Sequence, residues 1–213
     1  MLSDFLEKSE SEIQKYLEEH DEILQVSVGT ANWYHNYVLP HLSLGSDGGI
    51  PDFVIVSGQS NSFWIHIVEL KLPSAQRFTN KDSASKDLRE AIDQVLGYAK
   101  WAEDNKDYFK KILLDAVKTK YPEFDEDFQN NRRFIICKDL IIGRRNDLND
   151  NRSYCTNEMD SFVRIISYDR LIENEIRLED MRQKNVDKHY FELDDCIRMD
   201  LCVEMKNKFD YRP

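Results

Sequence analysis

Residues 48–73, GGIPDFVIVSGQSNSFWIHIVELKLP, form the segment that most constrains the fold. Two runs rich in β-branched and aromatic residues flank the polar stretch GQSN, a pattern that predicts a β-hairpin. The second run is apolar at both odd and even positions, so it predicts a central strand covered on both faces. We predict strands over residues 52–57 and 63–72, with Pro73 ending the second because proline cannot donate to the sheet ladder.

The charged residues at the end of this hairpin define a candidate site. Side chains alternate between the faces of a strand, so Glu69 and Lys71 share one face and lie about 7 Å apart. The start of one hairpin strand lies beside the end of the next, which brings Asp52 to them. Desolvating a carboxylate and an ammonium is costly unless each is paired. Glu69 and Lys71 could instead be polar residues that mark where the sheet meets water.

Two carboxylates and a lysine at one sheet end are suited to a hard cation. Mg²⁺ and Mn²⁺ prefer oxygen ligands and commonly use one or two carboxylates with water and substrate phosphate. The backbone carbonyl of Leu70 is a further candidate ligand. Lys71 could orient or activate a water molecule, or stabilise a pentacovalent phosphate. A metal bound there could lower the pKa of a water molecule, position it and offset charge on a phosphate.

The helix predicted after the hairpin carries a second signal. KDSASKDLREAIDQVLGYAKWAE, residues 81–103, has the apolar spacing of an amphipathic helix. Gln94 and Tyr98 are four residues apart and therefore lie on one face. Such a pair is a common structural feature by itself. Facing the sheet end, Gln94 could instead hold the attacking water or a ligand carboxylate.

The remaining segments predict one domain over residues 1–213, with a mixed α/β sheet and helices packed against it. The expected helices are SDFLEKSESEIQKYLEE, residues 106–120 and YDRLIENEIRLEDMRQK. The expected strands are ILQVSVG, YHNYVLPHLSLG with an interruption at Pro40, RRFIICKD and FVRIIS. The last stretch, HYFELDDCIRMDLCVEMKNKF, fits a strand or a helix, and we leave it open.

The formal net charge of −11 argues against a simple electrostatic clamp on nucleic acid or on an anionic membrane. It leaves room for an enzyme that meets phosphate through bound cations and one local basic patch. QNNRRFIICKDLIIGRR carries four candidate DNA contacts, Arg132, Arg133, Arg144 and Arg145. Ordinary solvated charge flanking a buried strand is the alternative.

The absence of a long apolar segment, of a signal peptide and of CxxC pairs predicts a cytoplasmic protein with reduced thiols and no membrane association.

Two motifs in the chain resemble those of a known nuclease superfamily. Pro51-Asp52 followed by Glu69-x-Lys71 resembles the PD-(D/E)XK signature, and Gln94-x-x-x-Tyr98 resembles the helix motif of its exonuclease-like branch. With SESEIQKYLEEHDEIL upstream and LIIGRR and SFVRIISYDRL downstream, residues 9–173 are similar to the Shedu antiphage-defence nuclease domain.

The resemblance implies a restriction-endonuclease-like α/β core over about residues 9–173 and a C-terminal extension over about residues 174–213. It also implies cleavage of DNA that depends on Mg²⁺ or Mn²⁺, homo-oligomer formation and a role in bacterial immunity. By the same resemblance, Asp52 and Glu69 are expected to be metal ligands and Lys71 the catalytic lysine. Gln94 and Tyr98 are expected to be active-site residues on a helix. Glu12 matches an acidic residue near the metal, with Glu10 as a close competitor.

Two other functions stay open at this point. The first is a nuclease fold without catalysis that binds DNA, an oligomer partner or a sensor, which the acidic net charge favours. The second is a phosphodiesterase that acts on RNA or nucleosides.

Overall fold

The centre of the fold is a mixed β-sheet. The computed structural model describes residues 1–30, 35–59, 62–79, 83–124, 133–144 and 163–184. The described strands lie side by side in chain order: β1 (His35–Pro40), β2 (Phe53–Gln59), β3 (Ser62–Leu70), β4 (Arg133–Ile141) and β5 (Arg164–Ile166). β1, β2 and β3 pair antiparallel, whereas β3, β4 and β5 pair parallel. The predicted mixed α/β fold is confirmed.

Helices cover both faces of this sheet. A short 3-10 helix (Leu2–Phe5) precedes the α-helices, which are α1 (Glu10–Glu19), α2 (Asp21–Ser27), α3 (Lys86–Asp104), α4 (Lys106–Lys120) and α5 (Tyr168–Gln183). One apolar core joins α1, α2 and α5 to one sheet face, and two others join α3 and α4 to the opposite face. Over the part of the chain that the structure describes, no helix combines the length and apolarity needed to cross a membrane.

The predicted hairpin is present, with slightly different bounds. Phe53 pairs with Val68 in the β2–β3 register. Phe63, Ile65 and Ile67 are buried under α3 and α4, and residues of opposite parity such as Val68 are buried in the core with α1, α2 and α5. Alternation along a strand produces this division, as the sequence predicts. β3 ends at Leu70, so Lys71 lies immediately beyond the strand.

Two predictions near the N-terminus are wrong. The segment ILQVSVG is not a strand, because residues 21–27 form α2. Its apparent alternation arises from two buried polar residues that have specific partners: Gln25 bonds to Asp21 and Ser27 accepts a hydrogen bond from Asn174. The helix expected over residues 3–19 is divided, because Ser9 caps a new helix that begins at Glu10.

The carboxyl ends of the three parallel strands lie level at one edge of the sheet. Leu70 pairs with Ile141, which pairs with Ile166. The pairing continues beyond the strands, where the Lys71 N–H donates to the Ile141 carbonyl at 2.8 Å. The antiparallel register brings the start of β2 to the same edge. Ligands of open α/β sheets usually bind outside this edge, which makes it the place to look for a site.

Candidate active site

Lys71 bridges the sheet edge and α3. Its Nζ donates to Glu69 Oε1 at 2.6 Å and to Gln94 Oε1 at 3.1 Å. The Glu69 side chain is 4% exposed and the Lys71 side chain is 25% exposed. The second carboxylate oxygen, Glu69 Oε2, is buried and has no hydrogen-bond partner among the described residues. The structure therefore brings together three of the predicted site residues and leaves one buried acceptor unused.

Asp52 lies beside this group at the start of β2. Its Oδ2 accepts a hydrogen bond from the Leu70 N–H at 2.6 Å, which fixes the orientation of the carboxylate. Burial raises the pKa of Asp52, although the hydrogen bond from Leu70 and the charge of Lys71 act against this rise. The backbone carbonyl of Leu70 as a metal ligand stays a prediction.

Burial shifts the pKa of Glu69 and, through the ion pair, that of Lys71. Burial raises its pKa from 4.5 to about 7, and the neighbouring Asp52 adds to the rise, although Lys71 opposes it. Burial by itself lowers the pKa of Lys71, but the hydrogen bond and charge of Glu69, with the charges of Glu10 and Asp52, bring the net pKa above its ordinary value. Lys71 is therefore a cation at neutral pH, whereas Glu69 is close to its titration point.

A chain of hydrogen bonds runs from Lys71 through α3 to the loop before β2. Gln94 accepts from Lys71 and donates through Nε2 to the Tyr98 hydroxyl at 2.7 Å. Tyr98 donates in turn to the Ile50 carbonyl at 3.2 Å. Gly49 allows this approach, since its φ is +78° and a Cβ there would lie 2.6 Å from Tyr98 Cε1. The i, i+4 spacing of Gln94 and Tyr98 thus connects the loop that precedes Asp52 to Lys71.

The charges of Asp52 and Lys71 act on Glu10, whereas the Glu12 carboxylate takes part in a capping box, and a role of Glu12 near the metal stays a prediction. The Glu12 carboxylate accepts hydrogen bonds from the Ser9 N–H at 3.1 Å and the Ser9 hydroxyl at 2.7 Å, which forms a capping box at the start of α1. Glu10 is half-buried, and burial raises the pKa of its carboxyl group. The charge of Lys71 opposes this rise and the charge of Asp52 adds to it. The Ser-x-x-Glu spacing was the sequence signal that separates the two glutamates.

Two of the four predicted basic contacts, Arg133 and Arg144, lie within the described residues, and the structure places them apart. Arg133 is exposed at the amino end of β4, and the eight residue steps to Ile141 separate it from the candidate site by roughly 26 Å. The Arg144 guanidinium is on the site side of the sheet but makes a bidentate ion pair with Asp169. Arg144 also lines an open cleft of about 610 Å³ with Pro73 and Ser74. Arg132 and Arg145 lie outside the described residues.

The carboxylates fit a cation that takes few protein ligands. Over the described residues, no group of three or more His, Cys, Asp and Glu side chains is arranged to hold a metal ion. Asp52 and Glu69 supply two carboxylates, and the buried Glu69 Oε2 is an acceptor without a donor. Mg²⁺ usually keeps several waters and binds through one or two carboxylates plus substrate phosphate, so this donor set suits it.

A buried charge network that the sequence analysis missed crosses the three parallel strands. Asp139 on β4 contacts the His66 ring at 2.7 Å and accepts a hydrogen bond from the Arg164 guanidinium. Burial opposes ionisation of Asp139, but Arg164 and His66 outweigh it and the pKa is lowered. Asp139 and His66 lie in separate apolar runs of the sequence. The parallel register sets His66 beside Cys137, so Asp139, two residues further along β4, lies on the same face and within reach of the His66 ring.

The chain matches the model of a known protein family. The family described as Shedu protein SduA, C-terminal, matches residues 7–172. This range contains every element from α1 to the start of α5, including all the site residues described above. A search among curated proteins gives no match.

Proposed function

The chain belongs to the Shedu SduA C-terminal family, and on this basis we propose that it is a metal-dependent nuclease that cleaves DNA in antiphage defence. Asp52, Glu69 and Lys71 would form its catalytic centre. The observation that carries the proposal is the unused, buried carboxylate oxygen of Glu69, which lies next to Asp52 at the carboxyl edge of the sheet. A buried acceptor of this kind costs about 1–3 kcal/mol without a donor, so it is favourable only where a ligand satisfies it.

Asp52 and Glu69 would hold Mg²⁺ or Mn²⁺. When bound, the cation would lower the pKa of a water molecule and offset charge on the phosphate. The hydrogen bond from Leu70 would keep Asp52 oriented toward this position. Since Glu69 has a pKa of about 7, cation binding would compete with its proton below neutral pH.

Lys71 would serve as a hydrogen-bond donor and a fixed positive charge. Its raised pKa keeps the ammonium protonated, which suits stabilisation of a charged phosphate or the orientation of a water better than proton abstraction. Gln94 would hold the ammonium in place once Glu69 turns to the cation, because its Oε1 already accepts from Nζ. Tyr98 would orient Gln94 through their hydrogen bond.

The test is cleavage of linear and plasmid DNA with Mg²⁺ or Mn²⁺. Lys71→Met and Glu69→Gln should each lower the rate by about 10²-fold or more, since each removes charge stabilisation from the reacting centre. Lys100→Met and Glu103→Gln are matched controls at exposed positions of α3 away from the Gln94 face, and both should cleave as the parent does. Cleavage by the Lys71 and Glu69 variants at the parental rate would remove these residues from the proposed centre.

A second candidate is a module with this fold that binds without cleaving. The ion pair between Lys71 and Glu69, and the lack of a three-ligand group among the described residues, favour it. Calorimetry that detects no Mg²⁺ or Mn²⁺ binding, together with DNA binding that survives both substitutions, would support this candidate. A panel that includes RNA would separate a phosphodiesterase of other specificity. Homo-oligomer formation stays a prediction, and light scattering of the purified protein tests it.

A further inference from the structure

Tyr168 begins α5 at the sheet edge that carries the candidate site. It follows Ile166, the last residue of β5, by two positions, and Ile166 is level with the ends of β3 and β4. The Tyr168 N–H donates to the Gly143 carbonyl at 3.1 Å, and the Gly143 N–H donates to the Leu72 carbonyl at 3.3 Å. These bonds attach the start of α5 to the loop that follows Lys71.

The Tyr168 side chain is completely buried, with 0% exposure. It belongs to the apolar core that contains Phe53, the neighbour of Asp52, and residues of α1 such as Ile13. Its hydroxyl has no hydrogen-bond partner among the described residues. A phenylalanine would fill the same space without the cost of about 1–3 kcal/mol for an unsatisfied buried hydroxyl. Packing alone therefore does not account for the hydroxyl group.

Two carboxylates lie within electrostatic reach of this hydroxyl. Burial raises the pKa of Tyr168, and the charges of Glu10 and Asp52 raise it further. The phenol is therefore a neutral donor at every physiological pH. The Glu10 carboxylate is half-buried and makes no hydrogen bond or ion pair within the part of the chain that the structure describes. A buried donor without a partner on α5 and an unused acceptor on α1 thus lie within electrostatic reach of each other at one sheet edge.

We propose that Tyr168 is a positioning residue of the metal centre: when the cation is bound, its hydroxyl would donate to Glu10 and hold that carboxylate toward the cation. The inference rests on the proposed function, since it requires a cation at Asp52 and Glu69. Groups that orient metal-binding carboxylates commonly change metal affinity by about 10- to 100-fold when they are removed. Tyr168 would act through Glu10 and would not touch the substrate.

The test is Mn²⁺ affinity, measured by calorimetry on the full chain without DNA. Tyr168→Phe should weaken Mn²⁺ binding about tenfold, while the thermal midpoint of the metal-free protein stays unchanged or rises. Tyr16→Phe is the matched control, because Tyr16 packs against the same core but its hydroxyl donates to Glu175, which is not a residue of the candidate site. This control should bind Mn²⁺ as the parent does. In a Glu10→Gln background, Tyr168→Phe should have no further effect on affinity.

The outcomes separate this inference from the proposed function. A parent protein that binds no Mn²⁺ would contradict the proposed function itself. A parent that binds Mn²⁺ with the same affinity as Tyr168→Phe would overturn the role of Tyr168 and leave the proposed function intact. An equal loss of affinity from Tyr168→Phe in the presence and absence of the Glu10 carboxylate would show that the hydroxyl does not act through Glu10.

Discussion

Glu69→Gln should stabilise the metal-free protein above neutral pH. Burial and the neighbouring Asp52 raise the pKa of Glu69 from 4.5 to about 7, so the folded state binds this proton more tightly than the unfolded state. Its stabilising contribution is complete below about pH 4.5 and is lost as the pH rises through about 7. A rise of this size corresponds to roughly 3 kcal/mol of unfolding free energy, at about 1.4 kcal/mol per pKa unit.

The assay is denaturant unfolding in chelator between pH 4.5 and pH 8.5. Glutamine resembles the protonated carboxyl, so the variant and the parent should have equal stability near pH 4.5. Their difference should grow to about 3 kcal/mol at pH 8 in favour of the variant. Glu90→Gln replaces the carboxylate of a side chain that is 64% exposed and should change stability by less than about 0.5 kcal/mol at any pH.

Adding Mn²⁺ should reverse this order. A ligand at 1,000 times its dissociation constant stabilises the state that binds it by about 4.1 kcal/mol, which exceeds the difference between the two proteins, and only the parent keeps the Glu69 carboxylate. A variant that is less stable than the parent at pH 8 without metal would refute the reasoning. A difference that does not depend on pH would refute it as well, because titration of Glu69 would then not be its cause.

Other substitutions test the surroundings of the site. Gly49→Ala should lower both stability and cleavage, because position 49 has a positive φ and a Cβ there would clash with the Tyr98 ring. Gly97→Ala on α3 has open space and should raise the free energy of unfolding by up to about 1 kcal/mol. Chemical denaturation and the cleavage assay compare the two variants. Asp139→Ala should cost about 3–5 kcal/mol in denaturant unfolding and leave Mn²⁺ affinity unchanged, because it removes the buried carboxylate that pairs with both Arg164 and His66. Glu12→Gln should lower the free energy of unfolding by no more than about 1 kcal/mol, through the weakened capping box, and should not change Mn²⁺ affinity. Glu10→Gln should weaken Mn²⁺ binding in the same calorimetric titration.

Local signals in the sequence predicted the hairpin and half of the candidate site. Strand alternation and the hairpin turn are properties of neighbouring residues, so the meeting of Asp52, Glu69 and Lys71 follows from the chain itself. The pairing of Gln94 with Tyr98 follows equally from helical spacing. The contact between Gln94 and Lys71 depends on how α3 packs against the sheet. The sequence motifs suggest that Gln94 lies near the site, and the structure gives its partner as the Lys71 ammonium.

Long-range pairing explains what sequence analysis did not reach. Tyr168 lies about a hundred residues from Glu69 along the chain, and only the level ends of β3, β4 and β5 bring it to the same edge. The strand predicted at ILQVSVG failed because the hydrogen-bond partner of Ser27 is Asn174, on a distant helix. In the sequence, a buried polar residue of this kind looks the same as the exposed polar residue of an alternating strand. Periodicity alone therefore cannot distinguish these cases.

Anomalous diffraction from a crystal soaked in Mn²⁺ tests the central claim most directly. The account predicts an anomalous peak at about 2.0–2.3 Å from carboxylate oxygens of both Asp52 and Glu69, with the Lys71 ammonium withdrawn from Glu69 Oε1 and still bonded to Gln94. A crystal saturated with Mn²⁺ that shows no peak between these carboxylates, and keeps the Lys71–Glu69 ion pair, would contradict it.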